Sequence, residues 1–395
     1  MSDFRLEQQI LLAVGKQQLS VSDVENLKRQ SASNIDWHYL VETARLQGLI
    51  PLLQRNIATH VPELAPPPIR TQLKREAVEN MQSVLYLTAK AIEVSRALDK
   101  RGVPNAFFKG PILSKLAYGD IALRQAGDID LMVAREDFES AKDVLESLGF
   151  EMYPQLTPAQ LRSHLGFHCE IQFTRDDWFT VVDLHWELSP RSFVFALGAQ
   201  EVMSRLQTVE LSGSTLKTFS NEDLLLYQAM HGAKHLWKKL ESISSVAELT
   251  KQCDNLWPTI LERTIQVRAT KILGLGLRLA ELVHGVSVPS EVISTLDRDE
   301  SMKHLAQKTV SEIFDQQQAW AESTETNIYN LKIMDRRRDA IWSALRAAFV
   351  PTLSDWEALS LPASLHSLYY VYRPLRLSKI YGVSLLHRLT RNAVL

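Results

Sequence analysis

Asp128 and Asp130 bracket a single isoleucine and lead into Leu131-Met132-Val133. The apolar run reads as a strand, and side chains in a strand alternate faces. Both carboxylates therefore point one way while Ile129 and Leu131 enter a core. Neighbouring carboxylates repel each other unless a cation or basic partner stands by. Mg2+ suits such a pair, because it takes one or two carboxylates and fills its shell with substrate phosphates and water. The chemistry implied is phosphoryl or nucleotidyl transfer. An isolated pair of this kind also fits a solvated turn or a calcium loop, so the surroundings decide.

Those surroundings favour phosphate. Asn105-Ala106-Phe107-Phe108 reads as a short buried strand that breaks at Lys109-Gly110, with helix-forming residues from 112 to 118. A strand, a glycine and a helix N-terminus present backbone N–H groups and partial positive charge to an anion. Lys109 and Arg124 add cations on either side. Metal-assisted transfer commonly uses a third acid to orient the attacking oxygen or hold a second metal. Asp183 offers one, in a strand-like run over 181–186 where it shares a face with His185, opposite Val182 and Leu184. Arg175 and an Asp176-Asp177 turn precede it, as expected of a hairpin joining 169–174 to 179–186. Without chemistry, Asp183 is simply a carboxylate on a solvated strand face.

The stretches FFKGPILSKLAYGDIALRQAGDIDLMV, VVDLHWEL and HGAKHLWKKL resemble the motifs of the bacterial uncharacterised nucleotidyltransferase family of the DNA polymerase β-like superfamily. The resemblance runs from 96 to 249, with a weaker echo in FVPTLSDWEAL and LYYVYRPLRL. It implies metal-binding roles for Asp128, Asp130 and Asp183, and phosphate contacts for Lys109, Gly110 and Arg124. The implied cofactor is Mg2+, as two ions, with Mn2+ as a substitute. The implied donor is an NTP, and the acceptor is an unidentified small molecule, protein or RNA. Two departures stand out. Lys109-Gly110-Pro111 replaces the superfamily's Gly-Ser, a form that fits this branch. Ser245 stands where an acidic residue is expected after the His-rich helix, which points to a weakened accessory site or to a scaffold that kept the fold and lost turnover.

His231, Lys234 and His235 fall on one helical face. A zinc site would want a third ligand, and a metalloprotease would want Glu where Gly232 and Ala233 stand. Half-buried structural histidines are one reading; contact with the nucleotide's phosphates, which the resemblance favours, is the other. Beyond Glu357 no acidic residue occurs, while Arg373, Arg376, Lys379, Arg388 and Arg391 interleave with Tyr369, Tyr370, Tyr372, Leu375 and Tyr381. Such a tail fits an anionic partner, either single-stranded nucleic acid or a membrane surface, or else packs its apolar side inward and exposes its basic side. No G-x-S-x-G elbow, P-loop or G-x-G-x-x-G fingerprint occurs.

The elements that must position these residues follow from periodicity. The 395 residues are long for one core and predict two or three packed subdomains. A formal charge of −2 supplies no global field for nucleic acid. Two cysteines, no secretory leader pattern and no apolar run near a membrane span predict a cytoplasmic protein. Residues 1–102 read as helical, with a capping box at Ser22-Asp23-Val24-Glu25 and a long helix over 69–100 that stops at Arg101-Gly102. Residues 103–219 read as a mixed α/β core, with short strands, a helix over 136–148 and a hairpin about Ser212-Gly213-Ser214. Residues 220–395 read as helical again: one helix capped by Ser220 and Asp223 that continues toward Trp237, then stretches over 260–284, 300–318 and 326–348, a charged Arg336-Arg337-Arg338 face and the basic tail. The expected fold is α+β, a nucleotidyltransferase core flanked by N- and C-terminal helical regions.

Overall fold

Leucine and isoleucine at helical spacing build the N-terminal helices α1 (Leu6–Val14), α2 (Val21–Gln30), α3 (Trp37–Leu46), α4 (Ile50–His60) and α5 (Pro67–Arg101). The computed structural model describes residues 4–30, 34–175, 180–298, 300–315 and 324–392. Proline in the first turn of α5 costs no helical hydrogen bond, and Gly102 ends the helix in the left-handed region at φ 75°. The capping box of α2 lies two residues earlier than expected. Ser20 and Asp23 exchange side-chain to backbone bonds of 2.9 and 3.1 Å.

The central portion contains β1 (Ala106–Phe107), α6 (Gly110–Tyr118), β2 (Ile129–Met132), α7 (Phe138–Ser147), β3 (Glu151–Tyr153), α8 (Pro158–Phe167), β4 (Glu170–Thr174) and β5 (Val181–His185). Then come α9 (Ala199–Met203) and the hairpin β6 (Gln207–Leu211) and β7 (Ser214–Thr218), turned by Ser212 and Gly213 at φ 50° and 74°. Five strands form one sheet in the order β1-β2-β5-β4-β3. Only β2 and β5 run parallel. Ile129, Leu131, Val182 and Leu184 enter an apolar cluster with α5 and α7 residues such as Val94, Leu98 and Phe138. Phe108 and Met132 join a second cluster with Phe219 and Tyr227. The core is mixed α and β, as expected; Asp176-Asp177 and Phe179 lie outside the described residues.

The remaining helices are α10 (Asn221–Lys234), α11 (Leu240–Thr250), α12 (Trp257–Gln266), α13 (Thr270–His284), α14 (Ser290–Leu296), α15 (Ser301–Glu312), α16 (Thr324–Ile333), α17 (Arg337–Phe349), α18 (Leu353–Ala358) and α19 (Tyr369–Asn392). Four expected helices are shorter or split, among them the 300–318 stretch, where α15 ends at Glu312 and residues 316–318 lie outside the described ones. Lys234 ends α10, because Leu236 and Trp237 take positive φ and Trp237 folds back against Gly232. Arg268, at φ 57°, separates α12 from α13. Residues 334–336 separate α16 from α17.

The N-terminal helices lean on the C-terminal ones. Glu248 accepts the Gln17 N–H at 2.9 Å, and Gln47 joins the Leu240 N–H to the Ile313 carbonyl. Among the described residues, no helix is long and apolar enough to cross a membrane.

Candidate active site

The parallel pairing of β2 with β5 sets Asp130 directly beside Asp183. Cross-strand neighbours in register share a face, so two acids far apart in sequence meet on the face opposite the Val182–Leu184 core. The β1–α6 turn brings Lys109 over the same place. Gly110 at φ 52° makes that turn, and a Cβ there would lie 3.5 Å from the Asp128 carbonyl, so the loop before β2 approaches closely. Lys109 Nζ donates to Asp130 Oδ1 at 2.5 Å.

His185, two residues beyond Asp183, completes a buried chain. Its Nε2 lies 3.1 Å from Asp130 Oδ1 and its Nδ1 lies 3.1 Å from Glu170 Oε2. The edge of the Phe108 ring, 5.1 Å away between centroids, holds the imidazole in place. Burial alone would raise Asp130, yet Lys109 and His185 outweigh it and hold the carboxyl well below its ordinary value. Burial likewise opposes the Lys109 charge, but Asp130, with Tyr227 and Glu170 nearby, keeps the ammonium well above its usual range. Asp128 and Asp183 behave oppositely. Burial and the Asp130 charge raise both, and Asp128 reaches about 7.

The end of α10 faces this cluster. Lys234 contributes to holding Glu170 below its ordinary range, where His185 acts more strongly against the effect of burial. Burial and then the Lys109 charge hold His231 well below its usual value, which leaves it neutral near pH 7. The His231 and His235 rings lie 4.5 Å apart, with His235 at the exposed rim. His231 and Lys234, in the last turn of α10, and His235, just after it, thus lie within electrostatic reach of Lys109 or Glu170.

Arg124 is engaged elsewhere. Its Nε lies 2.9 Å from Oε1 of buried Glu241, so it ties the loop before β2 to α11. Ser245, expected to stand in an acidic position, bonds back to the Glu241 carbonyl at 2.9 Å. The acids of α11 are Glu241, one turn earlier, and Glu248, both buried.

The donor set fits a divalent cation. Asp130, Asp183 and His185 each offer a ligand atom, all within 4.8 Å of one another. Asp183 Oδ1 is buried without a hydrogen-bond partner, and a buried acceptor left bare is costly unless a ligand satisfies it. Asp128 stands outside that trio. Cys169 and Glu170 form a second such group with His185, but burial pushes the Cys169 thiol up to about 12, so it is no ready nucleophile. The sequence placed His185 on the Asp183 face without assigning it a role, and it passed over Glu170 and Tyr227. His185 lies on the Asp183 face, and Tyr227 lies one turn before His231; both signals were visible. Glu170 becomes relevant only through its pairing opposite His185.

A mixed sheet bearing acids on adjacent parallel strands, with a glycine turn leading into a helix beside them, is compatible with nucleotidyl transfer. Residues 33–285 match the model of the uncharacterised nucleotidyltransferase family, and the chain belongs to that family. No curated protein matches the chain.

Proposed function

We propose that this protein is a Mg2+-dependent nucleotidyltransferase of the DNA polymerase β-like type, which moves a nucleoside monophosphate from an NTP onto an acceptor hydroxyl. The observation that carries the reading is the Asp130–Asp183 pairing, with Lys109 on one carboxylate and a bare buried oxygen on the other. Asp128, Asp130 and Asp183 would hold the metal ions, with Mn2+ as a substitute. When bound, divalent cations offset the charge of the triphosphate and lower the proton affinity of the attacking oxygen.

The protein's own groups do the positioning. Lys109 and the Gly110 amide at the start of α6 bind phosphate oxygens. His231, Lys234 and His235 close on the triphosphate from α10, the two histidines as neutral hydrogen-bonding groups. Arg124 supports the phosphate side through the loop it anchors to Glu241. Asp183 orients the acceptor hydroxyl and favours loss of its proton. A bond forms between acceptor oxygen and α-phosphorus, the bond to the bridging oxygen breaks, and pyrophosphate leaves. Positioning and electrostatics dominate the rate of such transfers.

One observation supports a second reading, an NTP-binding protein without turnover. Lys109 sits against Asp130 and competes there with any metal. The two readings part on one experiment, in which α-labelled NTPs are incubated with Mg2+ and fractions of small molecules, proteins and RNA. Transfer predicts label in one acceptor fraction and stoichiometric pyrophosphate, both absent for Asp130→Asn. A Mg2+-dependent thermal shift with every NTP but no label in any fraction would favour the non-catalytic reading.

A further inference from the structure

The last 65 residues hold ten Lys and Arg against four Asp and Glu, a formal charge of +6, while the preceding 330 carry −8. This segment lies beyond the family match, which ends at residue 285. Amphipathic packing would turn its apolar side inward and its basic side outward. The structure inverts that arrangement. Arg373 and Arg376 each place a guanidinium nitrogen 2.6 Å from a carboxylate oxygen of buried Asp355, and Arg373 also donates to the Ala347 carbonyl, which seats α19 on α17. On the outer side, Val371 and Leu375 are 60% and 64% exposed.

The exposure is concentrated. Among the described residues, 20 large hydrophobic side chains are exposed and 12 of them lie between 331 and 380, so this segment carries more exposed apolar side chains than the rest of the chain. On α17, Ile341, Trp342, Leu345 and Phe349 share one helical face. Exposed Lys332, Arg336, Arg337, Arg338 and Lys379 surround these residues in sequence. The side chains of Tyr381, Arg388 and Arg391 lie outside the described ones.

We propose that α17 and α19 form a peripheral docking surface for an anionic lipid bilayer. Charge complementarity and side-chain chemistry select this occupant. Anionic headgroups attract Lys and Arg within a Debye length. Exposed aliphatic side chains with a tryptophan enter the headgroup–acyl boundary, where indole is favoured. Nucleic acid would use aromatic stacking and phosphate contacts, leaving Ile341, Leu345, Val371 and Leu375 without a role. A second copy of the chain would set exposed Lys332, Arg336, Arg337, Arg338 and Lys379 against the same cations. Since no described helix can span a bilayer, the contact lies in the interface plane.

The test uses the full chain and vesicles of phosphatidylcholine with and without phosphatidylglycerol. Cosedimentation is expected only with phosphatidylglycerol present and should weaken as salt rises. Trp342→Asp and Leu375→Asp should each reduce vesicle affinity about tenfold or more, equivalent to at least ~1.4 kcal/mol, with unchanged melting temperature. Lipids brominated in the acyl chain should quench tryptophan fluorescence in the wild type and lose most of that effect in Trp342→Phe. Equal binding to neutral vesicles, binding untouched by these substitutions, or no binding at low salt would each overturn the proposal. Preferential capture of single-stranded RNA through the same residues, or a dimer dispersed by Leu375→Asp, would do so too.

Discussion

At the scale of single residues, the carboxylates divide into two kinds. Asp130 is flanked by Lys109 and His185 and stays ionised. Asp128 has no comparable partner, so burial first, then the Asp130 and Asp183 charges, raise its carboxyl to about 7. In the folded metal-free protein Asp128 keeps its proton up to that pH, whereas the unfolded chain releases it near 4. Between those values the folded state binds more protons, so this group's contribution to stability declines as pH rises from about 4 to about 7. Asparagine cannot ionise and escapes the penalty. Asp128→Asn in EDTA should therefore melt a few degrees above wild type at pH 8, on the order of 2 kcal/mol, and close to it at pH 5. Equal differences at the two pH values, measured by thermal denaturation, would show that Asp128 is already ionised in the folded apo protein.

At the scale of elements, what was legible in the sequence was what one element contains. Asp128 with Asp130, Asp183 with His185, and the trio of His231, Lys234 and His235 are each local patterns of period two or 3.6; Asp183 and His185 lie in β5, while Asp128 just precedes β2 and His235 just follows α10. The meeting of Asp130 with Asp183 depends on a parallel pairing between strands far apart in the chain, which no local spacing encodes. The same holds for Glu170, visible only as the partner of His185, and for Arg124, whose Glu241 partner lies on a distant helix. The end of α10 was misread for a packing reason. Trp237 is buried over Gly232, in space that any Cβ at that position would invade. Gly232→Ala must displace the indole and with it the turn that ends α10. Overpacking of this kind typically costs about 1–3 kcal/mol. The variant should melt several degrees lower, and its apparent affinity for NTP should fall as Lys234 and His231 shift. A wild-type melting curve with wild-type NTP affinity would show that the Trp237 plug does not set the position of the α10 end.

At the scale of the whole molecule, the helical flanks help build the site rather than enclose a self-sufficient core. Helices α1, α4, α10, α11 and α13 contribute to one apolar cluster that also takes in Ala106 and Met132 from the sheet and Phe108 just after β1. Glu241 on α11 fills the space over Gly48 at the α3–α4 turn while holding Arg124 in the loop before β2. The flanks therefore bear on how Lys109, Asp128 and Asp130 face Asp183. Central to the proposal is that Asp130 and Asp183, on the two strands, share a divalent cation that an NTP helps to hold. Electron paramagnetic resonance of Mn2+ titrated into the full chain with a non-hydrolysable NTP measures it. A site shared by Asp130 and Asp183 requires Mn2+ affinity to fall at least about tenfold, or ~1.4 kcal/mol, in Asp183→Asn and in Asp130→Asn, with both variants still folded by circular dichroism. Mn2+ binding of wild-type strength in Asp183→Asn would contradict it.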